Sequence, residues 1–197
     1  MKTAKLISYT FHPAIIPTIA ILIYFLLIPF IPYAREEKFM VLAAVFLGTY
    51  ILPILILILF MQMRIIESLQ IPKVEERKYP TVLMLVVGIV FFYLFSSKLN
   101  NTDLAQLFLR SSLSISLLFV AQLNKQKLSI HMMAMGVLLG FTIHLSANYQ
   151  LGLLLPIAIL VLTAGLVASS RLSLKAHTNR EIILGFLLGL VPQFHFF

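Results

Sequence analysis

Seven apolar runs, each close to the length of helix that crosses a bilayer, decide what this chain can become. A helix needs about 20 apolar residues to span ~30 Å of hydrocarbon, with ~17 as the lower limit. The runs fall at 12–33, 39–62, 80–97, 104–123, 130–148, 151–169 and 181–197, the third and the last among the shortest. Only 11% of the residues are charged, against 60% hydrophobic. A soluble domain carries roughly a quarter charged residues, so lipid has to be the solvent of this fold. The expected fold class is all-α integral membrane: an antiparallel bundle of six to seven transmembrane helices, forming a single polytopic domain over 1–197 with brief connections. Lys2 and Lys5 precede a long apolar run without a small-residue cleavage site, so the first run reads as a retained helix. The longest connection, 63–79, has room for a short interfacial helix before Pro72 interrupts it.

Charge adds an orientation. The chain has 15 Lys and Arg against 7 Asp and Glu, and the basic residues lie between the apolar runs rather than along an amphipathic face. Anionic lipid headgroups are therefore expected partners and nucleic acid is not. With seven spans, one face collects Lys2, Lys5, Arg64, Lys73, Arg77, Lys78, Lys125, Lys127, Arg171, Lys175 and Arg180. The other holds Arg35, Lys38, Lys98 and Arg110. The positive-inside rule puts the richer face, with the amino terminus, in the cytoplasm, in a setting such as the bacterial inner membrane. Cysteine is absent, which excludes disulfides and thiolate metal sites.

Two short segments on that basic face carry the residues suited to chemistry. The first runs from Ser169 to Glu181 and contains Arg171, His177 and Glu181. A carboxylate four residues after a histidine, near a helix start, can hold the imidazole, fix its tautomer and raise the basicity of its other nitrogen. An arginine six residues earlier offers a planar fork suited to phosphate oxygens. The bland alternative is an ordinary interfacial loop in which Arg and Lys meet headgroups. The second segment, Lys127-Leu128-Ser129-Ile130-His131, opens the fifth run. Ser129 can cap that helix, whose amino end favours an anion, and Lys127 adds positive charge beside it. His131 enters the span, where burial of an ionisable group is expensive and hence points to function; the bland alternative is a headgroup-level histidine behind a serine cap.

These segments resemble two motifs of the type 2 phosphatidic acid phosphatase superfamily. Its third motif, Ser-Arg-x5-His-x3-Asp, is matched by Ser170-Arg171-x5-His177-x3-Glu181, with Glu as the final acid, followed by Gly185 and Gly189. Two glycines four apart also let a neighbouring helix approach closely. Its second motif, Pro-Ser-Gly-His, keeps Ser129 and His131, with Leu128 and Ile130 in place of Pro and Gly. Its first, Lys-x6-Arg-Pro, has only a counterpart in another register, at Glu75-Glu76-Arg77-Lys78-Tyr79-Pro80. The match covers about 127–190 well. The resemblance implies a phosphatase of lipid or polyprenyl phosphates in which His177 attacks phosphorus, Glu181 orients it, and His131 protonates the leaving alcohol. Ser129 and Arg171 would hold the nonbridging oxygens, with Lys127 or Arg77 replacing the first-motif charges. No cofactor is implied, and no metal, because His12, His131 and His177 lack paired carboxylates nearby in sequence. Beyond substrate and lipid, the partners expected are further copies of the chain or a membrane complex.

Three other readings complete the set. A catalytically inactive scaffold or complex subunit is the first competitor, and a small transporter the second. His12 reads as an interfacial anchor, with a place in the pocket wall as its alternative. His144 and His195 read as structural, and Arg110, among Ser111, Ser112, Ser114 and Ser116, as a snorkelling residue.

Overall fold

The structure, a computed structural model, describes residues 2–68 and 75–194. Every element among them is helical, and six helical segments are long and apolar enough to cross a membrane. They are Lys2–Leu27, Arg35–Gln62, Glu75–Lys98, Thr102–Leu123, Ile130–Asn148 and Leu154–Ser173. The chain is thus an all-α integral membrane protein. By contact it divides into two compact units, one made of Met1–Ala43 with Leu128–Phe197, the other of Ala44–Lys127. The position of Pro72 and the interfacial helix expected before it fall partly in 69–74, outside the described residues, as does His195.

The first unit begins with α1 (Lys2–Thr10), which the apolar-run reading did not foresee. Prolines explain both ends of the next helix, α2 (Ile16–Leu27). His12 precedes Pro13 and takes an extended conformation (φ −63°, ψ 134°), breaking α1 from α2. Ile28 precedes Pro29 and is likewise extended (φ −99°, ψ 108°), so α2 stops before the end of the apolar run. α3 (Arg35–Phe46) carries Glu36 and Glu37 in its first turn, and Glu37 accepts a hydrogen bond from the Ala34 N–H at 2.7 Å. The unit boundary falls within α3.

In the second unit, α4 (Leu52–Gln62) follows a π-helical turn over Leu47–Ile51. Pro53 accounts for that turn: it offers no N–H and its ring crowds the carbonyl four residues back, so the helix widens there. α5 (Lys78–Tyr93) and α6 (Thr102–Leu123) pack side by side. Phe108 stacks on Phe91 and Phe95 with centroids 5.0 and 5.6 Å away, and Gly88 lets Ser112 of α6 lie directly on α5.

The first unit is completed by α7 (Ile130–Asn148), α8 (Leu154–Ser173) and α9 (Asn179–Leu190). α7 is its central helix: 72% of its most apolar stretch is buried, against 22% for α8, and α2, α8 and α9 all pack on it. α9 is the seventh apolar run, yet its 12 residues reach only about 18 Å before Pro192 turns the chain into a 3-10 turn. It lies parallel to α7 in direct backbone contact. A Cβ on Gly185 would stand 2.6 Å from the Ser129 carbonyl oxygen, and one on Gly189 would fall onto the Met133 carbonyl. Gly136 of α7 returns the same closeness to Phe186, and Gly140 meets Gln193. The seventh run is therefore a partial span that buries one face against α7 and ends beside its middle, and the close approach allowed by Gly185 and Gly189 is realised.

Candidate functional site

Local sequence sets each functional side chain. α8 ends in a Schellman motif: the Lys175 N–H bonds the Leu172 carbonyl at 2.8 Å and the Ala176 N–H bonds the Arg171 carbonyl at 3.1 Å, with Lys175 at φ 50°. This reversal carries the chain to Thr178, the N-cap of α9, within five residues of α8's end. Thr178 and Glu181 form a capping box: the Thr178 hydroxyl accepts from the Glu181 N–H at 3.4 Å, and Glu181 Oε2 accepts from the Thr178 N–H at 3.3 Å. The same Oε2 lies 2.8 Å from His177 Nδ1, and the His177 side chain is only 4% exposed. With Nδ1–H donated to the carboxylate, the imidazole carries its lone pair on Nε2.

The capping box also accounts for the residue type at 181. A carboxylate at the third helical position must reach back to the N-cap N–H, which a Glu side chain does. The additional methylene relative to Asp lets one oxygen serve cap and imidazole together. Glu181 is a pin as well, because its carbonyl accepts from the Ser129 N–H at 3.1 Å and ties the starts of α9 and α7.

Ser129 is the N-cap of α7, accepting from the Met132 N–H at 3.4 Å, and is fully buried beneath Gly185. Its hydroxyl is thus committed to a helix end and its backbone to α9. Two residues on, His131 turns toward α1 and α2. Its Nε2 lies 3.2 Å from the Ser8 carbonyl oxygen and 3.4 Å from the Ser8 hydroxyl. The His12 ring meets the His131 ring edge to face at 5.8 Å, while His12 Nδ1 accepts from the Ala14 N–H at 3.3 Å. From α8, Arg171 Nη1 donates to the Ser8 hydroxyl at 2.7 Å, and the neighbouring Ser170 hydroxyl donates to the Ala4 carbonyl at 2.6 Å. Arg171, His12 and His177 all lie within electrostatic reach of His131.

The first unit therefore gathers, at one end of α1, α7, α8 and α9, five of the seven residues singled out in the sequence: Ser129, His131, Arg171, His177 and Glu181. Arg77 and Lys127 belong to the second unit. Arg77 closes a 3-10 turn over Glu75–Arg77, its carbonyl 2.8 Å from the Thr81 hydroxyl, and Lys127 is half-buried at that unit's end. Two members of the cluster carried little or no sequence signal. Ser8 is a lone serine in a mixed polar segment. His12, read as an anchor, stands four residues after it, and that helical spacing was the available hint.

Arg171 and His131 meet at Ser8 with His12 against the His131 ring, while His177 pairs with the carboxylate of Glu181; a guanidinium beside ring N–H donors suits an anion with several oxygens. His144, by contrast, is buried within α7, one turn beyond Gly140 and far along the helix from His131. No family model matches the sequence, and no curated protein or solved structure matches it either.

Proposed function

We propose that this chain is a membrane phosphatase of lipid or polyprenyl phosphates, built on a helical arrangement like that of the type 2 phosphatidic acid phosphatases, and working through a phosphohistidine. The observation that carries the reading is the His177–Glu181 pair at 2.8 Å, placed in one cluster with Arg171 and His131. His177 Nε2 attacks phosphorus as the bond to the lipid oxygen breaks, and His131, protonated as the phosphate anion enters beside it, gives that oxygen its proton. Water then attacks the phosphohistidine, losing its proton to His131, and inorganic phosphate leaves with His177 restored. Glu181 stabilises the charge that develops on the His177 ring, and Arg171 compensates the nonbridging oxygens. Phosphoryl transfer asks mainly for such positioning and charge compensation. The basic-residue bias supports a site at the cytoplasmic face.

The competing reading is a non-catalytic scaffold, and one observation favours it: the Thr178–Glu181 capping box gives Glu181 a structural reason to be where it is. The two separate in a phosphate-release assay in detergent with chelator present, using phosphatidic acid, phosphatidylglycerol phosphate and undecaprenyl pyrophosphate. Release is expected from the wild type and should fall by ~10³-fold or more in His177→Ala and His131→Ala. Folded wild-type protein that releases nothing from any of the three would establish the scaffold instead.

A further inference from the structure

The two groups assigned to the substrate's phosphate, Arg171 and His131, both hold Ser8 in this structure. Arg171 Nη1 gives the Ser8 hydroxyl a hydrogen bond of 2.7 Å, and His131 Nε2 lies within 3.4 Å of that hydroxyl and 3.2 Å of the Ser8 carbonyl. A phosphoryl oxygen bound by the same Arg171 and His131 atoms would need the place the serine occupies. We infer that α1 is a displaceable cover over this site and that Ser8 stands in for a phosphate oxygen until substrate removes it. This rests on the anion-binding role given to Arg171 and His131 above.

Three features of α1 suit it to move. Its attachment to α2 passes through His12, a single extended residue fixed before Pro13, and hinges are typically a few element-terminal residues that absorb the backbone change. Its grip on α8 is polar, through Ser170 to the Ala4 carbonyl and Arg171 to Ser8. Ser8 is also the one residue of α1 that is buried, whereas Leu6 and Tyr9 are exposed. Only Ala4 and Ile7 are half-buried besides Ser8, so the helix has little apolar contact to lose on opening. Ala4, Ser8 and His12 are spaced four apart, so the face that closes the site is continuous with the residue at the hinge. Lys2 and Lys5 are exposed on the same helix, where headgroups of an anionic membrane can receive it.

The absence of cysteine makes a direct test available. Ser8→Cys is nearly isosteric and supplies the protein's single thiol, and Tyr9→Cys supplies an exposed reference. Both variants are labelled with a membrane-impermeant maleimide in lipid nanodiscs, with and without inorganic phosphate or short-chain phosphatidic acid, and phosphate binding is followed separately by calorimetry. The thiol of Ser8→Cys should react slowly alone and about tenfold faster with either ligand, while that of Tyr9→Cys keeps its rate. Phosphate binding with no acceleration in Ser8→Cys would remove the cover and leave the phosphatase reading intact. No phosphate binding at all would remove both. A second variant guards against a thiol that perturbs the site: Ser8→Ala deletes the competing hydroxyl and should bind phosphate about three- to tenfold more tightly, because a larger fraction of molecules is open. Weaker binding would make Ser8 a ligand and overturn the inference.

Discussion

The two units treat polar side chains inside apolar helices in partly different ways. In the second unit the hydroxyls of Ser112, Ser114 and Ser116 each turn back to a carbonyl four residues earlier on α6, and Arg110 donates to Gln106 one turn away. Such bonds satisfy a polar group within its own helix. Thr81 faces both ways, its hydroxyl 2.8 Å from the Arg77 carbonyl of its own turn and 3.0 Å from Gln122 Oε1 across the α5–α6 contact. In the first unit Thr142 and Thr163 turn back in the same way, but other polar bonds run between segments: α8 to α1 through Arg171 and Ser170, α7 to α1 through His131, and α7 to the start of α9 through Ser129 and Glu181. A group satisfied within its own helix contributes little to recognition. One satisfied by a neighbouring segment can exchange that partner for a ligand, and these groups collect where α1, α7, α8 and α9 meet.

The largest effect expected from breaking this contrast is at Glu181. Glu181→Gln keeps a side chain able to complete the capping box but removes the charge that supports His177. Activity should fall by about 10⁴-fold, in line with triad carboxylates neutralised in place, while thermal stability changes by less than about 0.5 kcal/mol. An unchanged rate would mean that the carboxylate serves the helix end alone. Loss of stability equal to the loss of rate would assign Glu181 to folding.

Next in size is a comparison of glycines. A methyl added at Gly189 meets the backbone carbonyl of Met133, which can yield only if α9 moves off α7. At Gly88 it meets the Ser112 hydroxyl at 2.5 Å, a side-chain atom able to rotate at the expense of its bond to the Phe108 carbonyl. Gly189→Ala should therefore destabilise by about 3 kcal/mol and Gly88→Ala by about 1 kcal/mol, from the usual range for overpacked cores. Thermal unfolding in one detergent measures both, and equal shifts would mean that α9 is held loosely.

These contacts mark the border of what the sequence disclosed. Runs at 104–123 and 130–148 coincide closely with helices, because apolar length sets a span when no proline intervenes; the run at 39–62 is also helical, with Pro53 absorbed by a widened turn. The first run was misjudged at both ends, since prolines at 13 and 29 govern the backbone more strongly than hydropathy does. The sixth helix continues through Ser169–Ser173 although the apolar run has ended, since helical hydrogen bonding persists into the headgroup region and Ser170 finds the Ala4 carbonyl there. The seventh run had the composition of a span but not the helix length. For the site, spacing sufficed where partners share one turn, as with His177 and Glu181. It was silent on Ser8, because a contact between residues 163 apart leaves no local pattern.

The smallest effect lies at the helix ends, where the two units behave alike. Arg64, Lys125 and Lys175 each occupy the left-handed position that closes a helix, with φ of 58°, 57° and 50°, and in each case the next N–H bonds back into the last turn. Glycine is the usual occupant, and an L side chain there costs about 1–2 kcal/mol. A cation beside the carbonyl end of a helix returns about 0.3–1 kcal/mol. Substitution at Lys175 can therefore change sign with residue type. Lys175→Gly relieves the backbone and forfeits the charge, for a net gain of about 0.5 kcal/mol. Lys175→Ala forfeits the charge and keeps the strain, for a loss of similar size. If the same pair of changes at Lys125 gives the same signs, the basic residues at these ends are helix caps in both units, and that part of the positive bias belongs to folding. If alanine is neutral at Lys125 but weakens phosphate binding at Lys175, the charge at the end of α8 belongs to the candidate site instead.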